Sequence, residues 1–128
     1  MSPDGLFIMV HDRYVRICLS GILYVQAKGD EVRIVFTEGE LESGTRLEQW
    51  LAVLPPKDFC QVHSAYIVAT GKVQDFSETH IGLPGMDIPL EKRFRQSFFN
   101  RYTFLFEMVE RESASSYFIN DVGELRFR

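Results

Sequence analysis

The chain has 128 residues, of which 45% are hydrophobic and 25% are charged. This length and balance fit one globular domain and exclude a disordered or collagen-like chain. Two cysteines are too few for a disulfide scaffold, and a net charge of −4 excludes an evenly basic surface. Because the sequence contains no long uncharged apolar run, we expect a cytoplasmic protein with no signal peptide and no membrane contact.

The first part of the chain predicts short antiparallel strands. Residues 6–10 and 13–18 are rich in apolar and β-branched residues, and the two residues between them predict a hairpin. Turn residues at Lys28-Gly29-Asp30 and at Gly39 separate the strands that follow. Those strands are predicted at 22–27, 31–37 and 40–43.

A short helix is predicted at about 46–54. Thr45 and Glu48 have the spacing of a capping box, in which the hydroxyl and the carboxylate each accept a backbone N–H. Pro55-Pro56 ends the helix because proline lacks an N–H and disfavours a helical residue before it. The apolar residues at helical spacing are Leu47, Trp50, Leu51 and Leu54.

The middle of the chain again predicts strands. A bend at His63-Ser64 divides the apolar segment 59–69 into two of them. Pro84 followed by Gly85 suits a type II turn, which predicts a further hairpin. The strands after the bend-containing segment are predicted at 72–76, 79–83 and 86–90.

After Pro89 the spacing of apolar residues changes from two to three or four. This predicts a longer C-terminal helix at about 91–111, followed by two short strands at 117–120 and 124–128. The residues with helical spacing are Phe94, Phe98, Tyr102, Leu105 and Val109. The predicted fold class is therefore mainly β, with several short antiparallel strands in small sheets, one short helix and one longer C-terminal helix.

Four stretches share the order and spacing of one family's motifs. They are ILYVQAKGD at 22–30, TRLE at 45–48, FCQVHSAYIV at 59–68 and IPLEKRF at 88–94. Across about residues 6–101 the sequence thereby resembles the LytTR-type DNA-binding domain of bacterial response regulators. The third stretch is the most specific of the four.

The resemblance implies a mostly antiparallel β fold whose loops enter successive major grooves of DNA. Three regions would make the contacts: the loop after the strand at 22–27, the residues after the motif histidine, and the start of the last helix. The family usually has a small polar residue where this chain has Glu91. The predicted DNA-binding residues are Lys28, His63, Ser64, Lys92, Arg93 and Arg95.

The chemistry of these residues suits DNA, but each has an alternative role. Arginine can donate two hydrogen bonds to guanine and lysine can neutralise a phosphate. The alternative for Lys92, Arg93 and Arg95 is a solvated helix face in which Glu91 pairs with Arg95. His63 can instead be a backbone-bonded ring, and Ser64 and Lys28 can be ordinary turn residues.

Metal and enzyme chemistry are not predicted. Cys60 and His63 have half of a zinc-site spacing, but on a strand they point to opposite faces and no second ligand pair follows. Glu38, Glu40 and Glu42 alternate and predict a solvated strand face rather than a calcium loop. No nucleophile–base pair or phosphate-binding glycine loop is present in the sequence, so we expect no catalytic residues and no cofactor.

Two functional hypotheses remain open. In the first, residues 1–102 form a sequence-specific DNA-binding module of a transcriptional regulator, acting on double-stranded DNA at direct-repeat sites. In the second, the chain is a degenerate member of the same fold that works as a protein-interaction module, since Asp30 and Glu31 in a contact loop would repel phosphates. The aromatic residues of the C-terminal extension 103–128 would then either form a homodimer interface or cover one open edge of their own domain. They are Phe104, Phe106, Tyr117, Phe118 and Phe127.

Overall fold

The computed structural model describes residues 5–106 and the two short strands at 117–119 and 125–127. The chain divides into two compact units, Met1–Arg95 and Gln96–Arg128. The first unit begins with a hairpin of β1 (Leu6–Val10) and β2 (Arg13–Ile17), as predicted. His11 in the connection has a φ of 56°, the left-handed conformation that a two-residue hairpin turn requires.

A five-stranded antiparallel sheet forms the centre of the first unit. Its strands are β3 (Ile22–Lys28), β4 (Glu31–Phe36), β5 (Gly39–Ser43), β6 (Phe59–His63) and β7 (Tyr66–Ala69). Their order in the sheet is β5-β4-β3-β7-β6. Because β7 lies between β3 and β6 and is antiparallel to both, the last residues of β3 and β6 and the first residues of β7 lie together at one end of the sheet.

The core lies mainly between this sheet, the first hairpin and the helix α1 (Leu47–Val53). Alternating residues of the strands supply it because successive side chains point to opposite faces. Trp50 is the largest side chain of α1 that is buried there. The buried cluster consists of Ile8, Ile17, Ile22, Val25, Val32, Ile34, Leu47, Trp50, Leu54, Phe59, Ile67 and Ala69.

The predicted helix at 46–54 is confirmed, but its predicted cap is wrong. Arg46 is the N-cap, and its N–H donates to the Gln49 side chain at 2.8 Å, which is the glutamine half of a capping box. Thr45 lies one residue earlier, and its Oγ1 accepts the indole N–H of Trp50 at 2.8 Å. Because the buried indole N–H needs an acceptor, the threonine satisfies the tryptophan rather than the helix.

A small three-stranded sheet follows. Its strands are β8 (Asp75–Phe76), β9 (His80–Leu83) and β10 (Met86–Pro89), in the order β10-β9-β8. Gly85 has a φ of 76°, as the predicted type II turn requires at its third residue. The strand predicted at 72–76 is shorter than expected, because residues Thr70–Lys72 form a 3₁₀ turn before it begins.

The long helix predicted at 91–111 is wrong in extent. A 3₁₀ turn, Lys92–Phe94, precedes a five-residue helix α2 (Arg95–Phe99), and residues 100–106 are not helical. The N–H groups of Arg101 and Tyr102 bond to carbonyls three residues back, at 3.1 and 3.2 Å, which tightens and ends the helix. Aromatic residues and Thr103 dominate the next residues and have weak helix propensity.

Helical spacing among these residues therefore reflected local ring packing. The rings of Phe98 and Tyr102 lie 5.2 Å apart, and Phe104 lies 6.0 Å from Phe99, whereas Leu105 is 93% exposed. Residues 107–111 of the predicted helix lie outside the described residues. The two predicted C-terminal strands are present as an antiparallel pair, β11 (Tyr117–Ile119) and β12 (Leu125–Phe127).

Candidate nucleic-acid interface

Three separate segments of the first unit meet at one end of the central sheet. The turn after β6 is joined to the end of β3, because the Ala27 N–H donates to the Ala65 carbonyl at 2.8 Å. The segment after β10 is joined to β6, because the Glu91 N–H donates to the Val62 carbonyl at 2.8 Å. These backbone bonds bring together the regions that the sequence analysis singled out.

Glu91 links two of these segments through its side chain. Its Oε1 accepts the backbone N–H of Ser64 at 3.0 Å and the Nε–H of Arg93 at 3.1 Å. The hydrogen bond from Arg93 is the main reason why the pKa of the Glu91 carboxyl lies below its ordinary value. We call the group His63, Ser64, Glu91 and Arg93 the Glu91 corner.

The side chain of His63 bonds to its own turn. Its Nδ1 accepts the N–H of Ala65 at 3.1 Å, so a neutral ring has its proton on Nε2. The ring meets Tyr66 edge to face, with centroids 5.5 Å apart. His63 is half-buried, so the backbone-bonded role considered from the sequence is present, and Nε2 is the ring nitrogen with a proton to donate.

Lys28 lies at the end of β3, directly after the residue that bonds to the turn of the corner. Its Nζ is 3.5 Å from Oε2 of Glu42 on β5, and both side chains are about half exposed, at 46% and 50%. A second pair, Arg33 on β4 with Glu40 on β5, also has a separation of 3.5 Å. Lys28 therefore follows the residue that bonds to the turn of the corner, but its charged group contacts an acid on β5.

The three predicted basic residues after Glu91 have different surroundings. Lys92 and Arg93 are exposed, and the guanidinium of Arg93 lies 4.7 Å from the centre of the Phe94 ring. Arg95 is half-buried, and its Nε is enclosed with no hydrogen-bond partner in the described part of the chain. Arg93, a member of the corner, and the adjacent Lys92 thus present charge at the surface, whereas no described contact brings Arg95 into the corner.

The alternative pairing considered from the sequence, Glu91 with Arg95, is not the one observed. Four-residue spacing brings side chains together only on an α-helix, and residues 92–94 form a 3₁₀ turn instead. Glu91 bonds to Arg93, two residues along the chain. The sequence contained no periodic signal for this contact.

Two further polar residues lie next to the corner and were missed as site residues. The Tyr66 hydroxyl accepts from Nε2 of Gln26 at 3.0 Å, across the β3–β7 pair. Tyr66 alternates with apolar residues along β7, a pattern that indicates packing, and its ring does pack against the rings of Tyr24 and His63. Alternation alone does not tell which polar atoms of a half-buried residue remain accessible.

The described residues contain no group of three or more His, Cys, Asp or Glu side chains close enough to hold a metal ion. Across those same residues, no helix has the length and apolar character needed to cross a membrane.

A family model and a solved structure both match this chain as the same kind of domain. Residues 12–102 match the family model described as the LytTr DNA-binding domain. The structure is similar to the LytTr DNA-binding domain assigned to a methyl-accepting/DNA response regulator from Bacillus cereus, with a TM-score of 0.64 and 18% sequence identity. That match covers 75% of this chain and 94% of the other, and it confirms the predicted fold class. No curated protein matches the sequence.

Proposed function

This chain belongs to the LytTR family of DNA-binding domains, as its motifs predicted, and we propose that it is the sequence-specific DNA-binding module of a bacterial transcriptional regulator. The family is described by DNA binding and not by catalysis. In this proposal residues 1–102 form the module and 103–128 are an extension to it. The module acts in the cytoplasm on double-stranded DNA, at direct-repeat sites.

The convergence of the three segments is the observation that supports this proposal most. A protein that recognises a DNA sequence needs several side chains on one rigid surface, because phosphate contacts orient the protein while base contacts select the sequence. The backbone bonds from Ala27 to Ala65 and from Glu91 to Val62 join the segments to the central sheet. The three segments therefore need not become ordered when they bind a duplex.

The proposed contacts divide by chemistry. Arg93 reads a base in the major groove, since its guanidinium is exposed and can donate two parallel hydrogen bonds to guanine. Lys28 and Lys92 neutralise phosphates, and the Ser64 hydroxyl and the His63 ring donate to the backbone or to a base edge. Arg95 follows in the helix and supports this surface through its charge.

Binding to a labelled duplex tests the proposal. We expect the full chain to form a complex whose affinity falls steeply with salt, because each neutralised phosphate releases counterions. K92A/R93A should lose at least about tenfold in affinity, since it removes one base contact and one phosphate contact. The matched control is R13A/K57A, which removes the same charge from exposed residues on other elements.

Two results of these binding measurements would contradict the proposal. A folded wild-type chain that forms no salt-sensitive complex at micromolar concentration would rule out DNA binding as its function. Equal losses in K92A/R93A and R13A/K57A would mean that net charge, and not the proposed surface, determines binding. Circular dichroism of each variant excludes unfolding as the cause.

The second hypothesis, a homodimer through the C-terminal extension, is supported by one exposed side chain. Leu105 is 93% exposed, whereas Phe104 and Phe106 stack on each other at 6.3 Å within their own unit. Tyr117, Phe118 and Phe127 have side chains outside the described residues. Light scattering tests this proposal, since L105D should convert a dimer to a monomer. A monomeric mass for both the wild-type chain and L105D would contradict the homodimer.

A further inference from the structure

We infer that Glu91 is a positioning residue that orients Arg93 for base recognition and thereby sets the sequence preference of the domain. The inference rests on the proposed function, because it assigns a role within the same DNA-binding surface. An acid at a DNA surface calls for a reason, since phosphates repel it.

The geometry around Glu91 joins parts of the chain that are far apart in sequence. Its Oε1 accepts hydrogen bonds from the Ser64 N–H and from the Arg93 Nε–H, and Ser64 is separated from Glu91 by 27 positions. The Glu91 main chain is itself fixed to β6 through the 2.8 Å bond to Val62. The carboxylate is thus attached to the sheet at its backbone and to a turn and an arginine at its tip.

The contact with Glu91 determines which atoms of Arg93 are left for DNA. Nε is occupied by the carboxylate, and the Phe94 ring lies 4.7 Å from the guanidinium carbon. The terminal Nη groups hydrogen-bond to no residue in the described part of the chain. Two parallel Nη–H donors match O6 and N7 of guanine, so a guanidinium held by its Nε is oriented for an end-on contact with that base.

A held arginine also loses less conformational freedom on binding. The side chain of Arg93 is 64% exposed, and a long exposed side chain without such a contact would sample many rotamers. Restricting them beforehand lowers the entropic cost of the base contact. The same carboxylate repels phosphates, so it weakens binding to every duplex while it strengthens discrimination between duplexes.

Selection from a random duplex library followed by competition measurements tests this inference. The readout is the affinity ratio between the selected duplex and a scrambled duplex of equal length and composition. E91A should lower this ratio by about tenfold, the effect of one lost base contact, and should raise affinity for the scrambled duplex. E91Q should keep most of the ratio, because the glutamine oxygen can accept the same two donors, and should also raise affinity for the scrambled duplex.

Two further variants make the assignment specific. E91A/R93A should have the same ratio as R93A alone, since Glu91 acts through the arginine. E48Q is the control, because Glu48 is an exposed acid in the first turn of α1 and its loss should leave the ratio unchanged. If E91A does not fold, E91D decides, because it retains the charge on a shorter side chain that cannot reach Ser64 and Arg93 in the same way, and its ratio must fall.

The possible failures are distinguishable. Equal gains in affinity for both duplexes in E91A and E91Q, with an unchanged ratio, would show simple repulsion and overturn the inference while leaving the proposed function intact. A ratio that falls in E91Q as far as in E91A would also overturn it, because charge rather than hydrogen bonding would then matter. A wild-type chain that selects no sequence overturns both proposals.

Discussion

Two regions of the first unit each pair a basic side chain with a glutamate, with different consequences. At the Glu91 corner the Arg93–Glu91 distance is 3.1 Å, and the same carboxylate oxygen also accepts a backbone N–H from a distant turn. The Lys28–Glu42 distance is 3.5 Å, and this pair only links β3 to β5 across the intervening strand β4. The first arrangement orients a cation, whereas the second mainly neutralises one.

Stability does not distinguish these pairs. Exposed ion pairs are worth about 0–1 kcal/mol, because water screens them and the long side chains lose rotamer freedom. Their difference lies in what remains accessible: Arg93 keeps its terminal nitrogens, while Lys28 contacts Glu42 and lies opposite Glu31 on β4. Basic residues in a sequence therefore cannot be counted as equivalent contributions to a DNA surface.

Both regions depend on the central sheet, and its disruption should have the largest effect. Ile34 on β4 is fully buried in the main cluster. We expect I34A to lower the free energy of unfolding by about 2–5 kcal/mol, since it removes apolar burial and leaves a cavity. Urea denaturation measures the change, and L51A on the exposed face of α1 should cost much less. Similar losses in both variants would contradict the assignment of the core.

The two basic residues should differ next in their effect on DNA binding. R93A should lose about 1–3 kcal/mol of affinity for a selected duplex and relax the preference at one position. K28A should lose less, uniformly across sequences, and should reduce the slope of log affinity against log salt by about one. Titrations of both variants at several salt concentrations separate these patterns. The comparison fails if K28A, and not R93A, changes the sequence preference.

Release of Lys28 from its glutamate should have a smaller effect. E42Q removes the partner charge at 3.5 Å, and we expect DNA affinity at low salt to rise by less than about tenfold. Unfolding free energy should change by about 1 kcal/mol or less. E48Q makes the same change in net charge on α1. An equal rise in E48Q would show that net charge alone is responsible.

The titration of Glu91 should show the smallest effect. Its pKa lies below the ordinary 4.5, chiefly because Arg93 donates a hydrogen bond to the carboxylate. A lowered pKa in the folded state means that the associated stabilisation is present above pH 4.5 and is lost as the pH falls through the folded value. NMR titration should place the pKa of Glu91 below 4.5 and show it rising in R93A. A pKa unchanged by R93A would contradict the contact.

Local patterns in the sequence were sufficient for the strands. Alternation of apolar residues, with Gly85 and Lys28-Gly29-Asp30 as turns, placed the hairpins and the strands of the central sheet. They failed at Thr45, whose hydroxyl accepts from Trp50, and beyond Phe99, where aromatic residues with helical spacing pack without a helix. In both places an aromatic side chain makes a contact that sequence spacing alone does not specify, a hydrogen bond for Trp50 and ring packing for Phe99.

The sequence by itself determined the antiparallel strands, the helix around Trp50 and the family, because turn residues, periodicity and motif spacing are properties of adjacent positions. Only the tertiary structure decided that Glu91 binds both Ser64 and Arg93, that Lys28 pairs with Glu42, and that Arg95 is half enclosed. These contacts depend on which strands become neighbours and on how a 3₁₀ turn directs its side chains. Hydrogen bonds reach about 3 Å, so partners separated by 27 positions meet only after the sheet has formed.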